Sequence, residues 1–307
     1  MRVVFFGTPA FAVPSLRALV DEGADVVGVV TQPDRAQGRS RSILIPPPVK
    51  LAGEEMGLPV HQPERPRGDV FVAWLRRLNA DLGVAVAYGH ILRPEVLAVP
   101  SGGMVNVHAS LLPRHRGAAP IQAAILANDP VTGVSIMQMD AGMDTGPVLH
   151  QLTTPISAVD TGGSLTDRLA SLGAQALIEA LVMLQRGELR PVPQDAARAT
   201  LAPKIDHDTA RIRWEEGADA AARRIRAFDP VPGAWTVLDG LEVKCFGPSI
   251  LPQPAEPGLV VGTEPMLIIG AGPGSVAVAQ VQPAGKRRMP ASEWSRGRGA
   301  RAGQRFA

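Results

Sequence analysis

The 307-residue chain is long enough for two domains, and its 45% hydrophobic and 20% charged residues are typical of a globular protein. No run of about 18 apolar residues occurs, which excludes a helical membrane span, and no signal-peptide pattern precedes the first apolar run. The net charge is only +2 and the single cysteine, Cys245, cannot form an internal disulfide, so we expect a cytosolic location.

The chain begins with a β-α-β pattern. Residues 2–6 and 26–30 are apolar runs, and between them Leu16, Leu19 and Val20 recur at helical spacing. Parallel pairing of the two runs with a right-handed crossover predicts a Rossmann-like α/β sheet. The dinucleotide fingerprint G-x-G-x-x-G is absent after the first run, which disfavours a nicotinamide cofactor.

A basic loop is predicted over residues 32–50, where proline and glycine interrupt any periodicity. Against the single acid Asp34 it carries four basic residues, which are Arg35, Arg39, Arg41 and Lys50. Two interpretations remain open. The loop is either an ordinary surface connection or a segment that becomes ordered when it meets RNA phosphates.

A continuous apolar run at residues 82–87 is typical of a central parallel strand. Ligands of open α/β sheets bind beyond the carboxyl ends of such strands. We therefore expect three segments to converge on one pocket, namely residues 88–92, which follow this run, together with residues 110–113 and 140–144.

Two polar residues, Asn106 and His108, lie on the next predicted strand and share one of its faces. An amide and an imidazole on one face can donate to an oxygen that gains negative charge, as acyl transfer requires. Asp144, in a glycine-rich turn, can fix the imidazole tautomer or take a proton from an amine. The alternative for each residue is structural, with His108 as a hydrogen-bonded core histidine and Asn106 as a turn cap.

Several classes of chemistry are disfavoured near this set. No G-x-S-x-G motif and no cysteine lie close to it, which favours direct transfer between two bound substrates over a covalent acyl-enzyme. The spacing of His, Cys and acidic residues matches no metal-ligand pattern, so we expect no metal. Arg114 and Arg116 contact an anionic ligand or form hydrogen bonds within their loop, and His90 and His115 are expected to be packing or rim residues.

The second half of the chain has a different pattern. A long amphipathic helix at residues 165–184 ends the first predicted domain, and a segment rich in Pro, Ala and Arg follows. Short apolar runs separated by Gly and Pro turns then predict a small β-barrel. We therefore predict an α/β Rossmann-like domain at residues 1–187, a linker at 188–206 and a barrel domain at 207–307.

The last 22 residues are strongly basic, with Glu293 as the only acid. Their basic residues are Lys286, Arg287, Arg288, Arg296, Arg298, Arg301 and Arg305. Such a cluster on a nearly neutral protein indicates a polyanionic partner. A solvated tail explains the charge equally well.

Four motifs resemble the signature of the folate-dependent formyltransferases: Asn106-Val-His108, Ser110-Leu-Leu-Pro113, Arg116-Gly-Ala-Ala-Pro120 and residues 140–146. The resemblance covers nearly the whole chain, because it extends to Gly7-Thr-Pro9, Gln32-Pro-Asp-Arg35, Val86-Ala-Tyr-Gly89 and Gln282-Pro-Ala-Gly-Lys286.

The resemblance implies a Rossmann-like formyltransferase domain followed by an OB-like domain that binds tRNA. It implies transfer of the formyl group of 10-formyltetrahydrofolate to the α-amine of methionyl initiator tRNA, with Asn106, His108 and Asp144 as catalytic residues. The folate-binding residues would be Tyr88, Gly89, Ile91, Leu92, Ser110, Leu111, Leu112 and Pro113. The tRNA-binding residues would be Arg39, Arg41, Lys286, Arg287 and Arg288.

Two competing functions remain. The first is formylation of a sugar nucleotide or another small amine by the same catalytic set, and the long basic surfaces argue against it. The second is a nucleic-acid-binding module on an inactive Rossmann scaffold, and the intact Asn, His and Asp set argues against that. We also expect a monomer without membrane contact.

Overall fold

The computed structural model describes residues 1–37, 43–297 and 299–307. The chain forms two compact units. The first contains residues 1–117, 131–154 and 166–202, and the second contains residues 118–130, 155–165 and 203–307.

Strands and helices alternate at the start of the chain, as the apolar runs predict. The elements are β1 (Arg2–Gly7), α1 (Val13–Asp21), β2 (Asp25–Val30), β3 (Arg35–Gln37), β4 (Ile43–Ile45), α2 (Pro48–Glu55), β5 (Val60–His61), α3 (Asp69–Arg77), β6 (Leu82–Val86), α4 (Pro94–Leu97) and β7 (Met104–His108). The side chains of β6 are buried throughout, as expected for a central parallel strand covered on both faces.

The middle of the chain adds four strands and the longest helix of the described residues. The elements are β8 (Arg116–Gly117), α5 (Pro120–Leu126), β9 (Val131–Gln138), β10 (Val148–Pro155), α6 (Gly162–Gln185) and β11 (Leu201–Ala202). Seven strands form one sheet in the order β10-β9-β7-β6-β1-β2-β5. Strands β7, β6, β1, β2 and β5 pair in parallel, whereas β9 runs antiparallel to β7.

A glycine allows α6 to approach the strand that carries Asn106 and His108. A Cβ atom on Gly173 of α6 would lie 2.9 Å from Cγ1 of Val107 on β7. Val107 points away from the two polar side chains because strand residues alternate between faces. The buried back of β7 is thus closed by the helix, and its polar face is left for the site.

The second unit contains α7 (Ala218–Ala227), β12 (Ala234–Leu238), β13 (Leu241–Leu251), β14 (Val260–Gly262), β15 (Leu267–Gly270), β16 (Ser275–Pro283), β17 (Met289–Pro290) and α8 (Ala291–Arg296). Its strands form an antiparallel sheet in the order β12-β13-β16-β15-β14, with β17 beside β16. The predicted fold class, an α/β Rossmann-like domain with a small OB-like β domain, is confirmed. Within the described ranges, no helix combines the length and apolarity needed to cross a membrane.

The described parts of the predicted loop, residues 32–37 and 43–50, contain more regular structure than expected. It contains the hairpin of β3 and β4, and α2 begins at Pro48. Strands of three residues are too short to show a period-2 pattern, and proline at the first helical position reads as a loop signal although it is favourable there.

Candidate active site

The three predicted catalytic side chains meet at the end of β7, all within the first unit. Asn106 Nδ2 donates to Asp144 Oδ1 at 3.5 Å, and His108 Nδ1 lies 3.6 Å from Asp144 Oδ2. The backbone N–H of Gly117 donates to the same Oδ2 atom at 2.9 Å. Asp144 therefore sits at the centre of the set, in contact with each of the other groups.

The His108 ring is hydrogen-bonded at Nε2 and faces a carboxylate at Nδ1. Its side chain is buried, and Nε2 lies 2.9 Å from the carbonyl oxygen of His115. Because a carbonyl oxygen only accepts, Nε2 carries a proton in this contact. Nδ1 faces the Asp144 carboxylate at 3.6 Å, which is longer than a hydrogen bond.

The His115 carbonyl is fixed by contacts from a distant part of the chain. His115 has a left-handed backbone, with φ of 58°. Its N–H donates to Thr200 Oγ1 at 2.8 Å, and the N–H of Arg116 donates to the Thr200 carbonyl at 2.8 Å. The pairing of β8 with β11 continues this contact. His115 was expected to be a packing or rim residue, and its backbone proves to be the hydrogen-bond partner of His108.

Gln194 is a further residue of the site that the sequence did not indicate. Its Nε2 lies within hydrogen-bond distance of the carbonyl oxygens of Asp144 and Gly146, and its Oε1 accepts from the Arg116 guanidinium. Gln194 and Thr200 both lie in the segment predicted as a linker. Neither falls in a periodic pattern or a motif, so no local signal could have identified them.

The first predicted folate segment is built around one carbonyl oxygen. Tyr88 O accepts from Thr8 Oγ1 and from Gln32 Nε2, each at 2.9 Å. Gly89 follows with φ of 83°, and a Cβ atom there would lie 2.5 Å from Gln32 Nε2. The side chain of Ile91 is 91% exposed, whereas Leu92 is 5% exposed and belongs to the hydrophobic core.

The second predicted folate segment, residues 110–113, is braced from the sheet. Ser135 Oγ donates to the Ser110 carbonyl at 2.6 Å and accepts from the Leu112 N–H at 3.0 Å. Gln151 Nε2 donates to the Leu112 carbonyl at 3.1 Å and to Ser135 Oγ at 2.7 Å. The side chain of Leu112 is buried, and those of Leu111 and Pro113 are half-buried.

The predicted tRNA-binding residues fall into three groups. Arg39 and Arg41 lie outside the described residues. Lys286 and Arg287 are exposed in the turn between β16 and β17. Arg288 is engaged within its own unit: its guanidinium donates to both carboxylate oxygens of Asp229, at 2.8 and 3.3 Å, and lies over the Phe246 ring.

Arg288→Ala is therefore expected to lower the free energy of unfolding by about 2 kcal/mol, because it leaves the buried Asp229 carboxylate without its charged partner. Arg287→Ala, at an exposed neighbour, should change it by less than about 0.5 kcal/mol. Urea unfolding followed by tryptophan fluorescence measures both, since Trp214, Trp235 and Trp294 lie in this unit. Equal stability of the two variants would contradict a structural role for Arg288.

Other titratable groups lie away from the catalytic set. Burial raises the pKa of the Cys245 thiol to about 12, which keeps it protonated at neutral pH. Hydrogen bonds from Gln62 and Lys50 lower the pKa of Asp34, at the base of the β3–β4 hairpin. Among the residues that the structure describes, no group of three His, Cys, Asp or Glu side chains is placed to hold a metal ion. The absence of a metal stays a prediction.

Comparison with known proteins gives two family matches in sequence order. Residues 1–181 match the model described as formyl transferase, and residues 204–299 match the formyl transferase C-terminal domain. A methionyl-tRNA formyltransferase of Synechococcus sp. (strain JA-3-3Ab) is 46% identical over 319 residues, which cover 100% of this chain and 98% of the relative. One from Xylella fastidiosa (strain M12) is 56% identical over 246 residues, or 80% of this chain and 79% of the relative.

The fold is also shared with a solved structure. The crystal structure of WlaRD, a sugar 3N-formyl transferase in the presence of dTdp and 5-N-formyl-THF, matches with a TM-score of 0.68. The match covers 94% of this chain and 99% of that one, at 16% sequence identity. At this identity the similarity establishes the fold alone.

Proposed function

Since this chain belongs to the formyl transferase family, we propose that it works as a methionyl-tRNA formyltransferase. It transfers the formyl group of 10-formyltetrahydrofolate to the α-amino group of methionyl initiator tRNA, for translation initiation. The observation that carries this function is the 46% identity to such an enzyme along the whole chain, through both domains.

The reaction forms one C–N bond and breaks another. The α-amine of methionine attacks the formyl carbon, and a tetrahedral intermediate with a negatively charged oxygen results. Collapse of the intermediate breaks the bond to N10 of the folate. The amine loses one proton in this sequence and N10 gains one, so the site needs a group that can hold a proton in transit.

We propose that Asn106 and His108 stabilise the oxyanion by donating hydrogen bonds to it. Asn106 Nδ2 has two N–H groups and uses one of them on Asp144, at the long distance of 3.5 Å, which leaves the other for a substrate oxygen. The Nε2–H of His108 is directed at the His115 carbonyl, so the formyl oxygen has to share or replace this acceptor. The second N–H of Asn106 needs no such exchange, and a donor fixed in this way stabilises developing charge without reorganisation.

We propose that the His108–Asp144 pair carries the proton that moves from the amine to N10. The two side chains are 3.6 Å apart at the nearest atoms and largely shielded from water. The pair can accept a proton from the amine and then donate it to N10 of the folate. Asp144 has the second role of holding both donors in place, since it contacts Asn106 as well.

For the folate we propose contacts to the loop surfaces that remain accessible. The Tyr88 carbonyl already accepts two hydrogen bonds, which is its full capacity, so Tyr88 shapes the site rather than reading the ligand. Gly89, Ile91, Leu111 and Pro113 are the accessible ones among the eight residues predicted to bind folate. WlaRD, which shares this fold, was solved in the presence of a formylated tetrahydrofolate.

For the tRNA we propose phosphate contacts by Arg39, Arg41, Lys286 and Arg287, with Arg288 supporting the turn. Each lost phosphate contact should weaken binding to all tRNA sequences about equally. It should also reduce the slope of log K against log salt concentration by about one. We further propose the division at residues 1–187, 188–206 and 207–307, a monomer in the cytoplasm, and catalysis without a metal or a membrane.

The test is transfer of labelled formyl from 10-formyltetrahydrofolate to four acceptors: methionyl initiator tRNA, elongator methionyl-tRNA, free methionine and an amino sugar nucleotide. We expect label on the initiator tRNA alone. Label on the sugar nucleotide would replace the proposed acceptor by a small amine, and no transfer of label to any acceptor would overturn the function.

A further inference from the structure

We propose that Gln194 is a positioning residue for formyl transfer, which clamps the Asp144 turn to the loop that carries Gly117. The proposal rests on the proposed function for its kinetic consequences. Its physical content, that one side chain fixes the place of Asp144, is independent of the acceptor.

The amide nitrogen of Gln194 binds the backbone on both sides of the catalytic turn. Nε2 donates to the Asp144 carbonyl at 2.9 Å and to the Gly146 carbonyl at 2.7 Å. Asp144 has φ of 54°, a left-handed conformation that is strained for a residue with a side chain and persists only where its surroundings enforce it. The turn is thus in need of the support that these two bonds supply.

The amide oxygen of Gln194 binds the opposite loop. Oε1 accepts from Arg116 Nε at 3.0 Å and from Arg116 Nη2 at 2.8 Å. A guanidinium only donates and a carbonyl only accepts, so one orientation of the amide satisfies all four contacts. The clamp therefore has a defined direction.

The two loops joined by Gln194 are the loops that meet at the catalytic carboxylate. Gly117, the neighbour of Arg116, donates its N–H to Asp144 Oδ2. Gln194 holds the backbone of Asp144 on one side of this contact and the side chain of Arg116 on the other. Its loss would let the carboxylate drift relative to His108 and Asn106.

Gln194 is itself fixed by the backbone around it. Val192 exchanges both backbone hydrogen bonds with Val148, at 2.8 and 2.9 Å, and Thr200 binds the backbone of His115 and Arg116. The side chain thus reaches the turn from a segment that is anchored before and after it. The Asp144 turn also requires glycine at position 146, because a Cβ atom there would lie 1.9 Å from the Gln138 carbonyl oxygen.

Two substitutions separate the parts of the clamp. Gln194→Met keeps the length of the side chain and removes all four contacts. Gln194→Glu keeps oxygen acceptors for Arg116 and places a carboxylate against the carbonyls of Asp144 and Gly146, which abolishes the donor half. Gln185→Ala, at the exposed end of α6, is the matched control.

We expect Gln194→Met and Gln194→Glu to lower kcat by about 10- to 100-fold, since a displacement of about 1 Å at a reacting group has an effect of this size. The KM for folate should stay within about twofold, because Gln194 lies outside the two folate segments.

A second readout does not require turnover. Hydrogen exchange at the Gly117 amide, whose acceptor is Asp144 Oδ2, should be faster in Gln194→Met and Gln194→Glu than in wild type or Gln185→Ala. Unchanged exchange and unchanged kcat in Gln194→Met would overturn the proposal. A Gln194→Glu variant with wild-type kcat would overturn the donor half of the clamp.

Failure of the proposed function has a different signature. If the wild-type protein transfers no formyl group to tRNA, the exchange experiment still decides whether Gln194 fixes the Asp144 turn. A second outcome would also contradict the positioning role. If kcat and the melting temperature of Gln194→Met both fall and the KM for folate rises in proportion, Gln194 stabilises the fold as a whole and does not position Asp144.

Discussion

His108→Ala is expected to lower kcat for formyl transfer by about 100- to 1000-fold, the usual effect of removing one donor to an oxyanion. The dissociation constant of the folate should change little, because folate binding is assigned to the two folate segments and the buried His108 ring contacts His115 O and Asp144. Single-turnover transfer to methionyl initiator tRNA, with folate binding measured separately, distinguishes the two effects.

Two further variants sharpen this result. His108→Gln retains an N–H donor in place of the ring but cannot hold a proton at neutral pH, so it should remain slow if the proton is needed. His150 lies on β10, away from the catalytic set, and pairs with Glu179 of α6. His150→Ala should therefore leave kcat unchanged. Near wild-type turnover by His108→Ala would show that the oxyanion is stabilised elsewhere.

Asp144→Asn is the second substitution for which we expect a large loss, about 100- to 1000-fold in kcat. The amide matches the carboxylate in size, and its oxygen can still accept from the Gly117 N–H. With the oxygen kept in that position, the NH₂ group takes the place of Oδ1 and faces the Asn106 NH₂ group, where the carboxylate had offered an acceptor. The site loses the proton acceptor while its shape is largely preserved.

A loss of folding is distinguished from this effect by the melting temperature, which should stay close to the wild-type value in Asp144→Asn. Asp167→Asn, on the exposed face of α6, makes the same chemical change away from the site and serves as the control. A normal kcat in Asp144→Asn would assign the proton transfer to another group.

The parts of the site that lie on regular elements could be predicted from the sequence. The i, i+2 spacing placed Asn106 and His108 on one strand face, and the glycine-rich turn indicated that Asp144 would be presented by a tight loop. The contacts of Asp144 with both side chains agree with this expectation. Their catalytic roles remain proposals.

The supporting residues could not be predicted, because their signal is three-dimensional. Gln194 binds a carbonyl 50 residues earlier in the chain, and Thr200 binds an amide 85 residues earlier. A segment rich in Pro, Ala and Arg has no periodicity that would place either side chain. The ion pair of Arg288 could not be predicted for the same reason, since the Asp229 carboxylate lies 59 residues away in sequence.

The long-range contacts of Gln194 and Thr200 have a consequence for the synthesis of the protein. The chain leaves the ribosome from its N-terminus, so Asn106, His108 and Asp144 are made first. At roughly 5 to 20 residues per second, the 50 residues that separate Asp144 from Gln194 take about 3 to 10 s to synthesise. A nascent chain during this interval holds the whole catalytic set without the side chain that braces it. The active site therefore matures only once translation has passed well beyond its last catalytic residue.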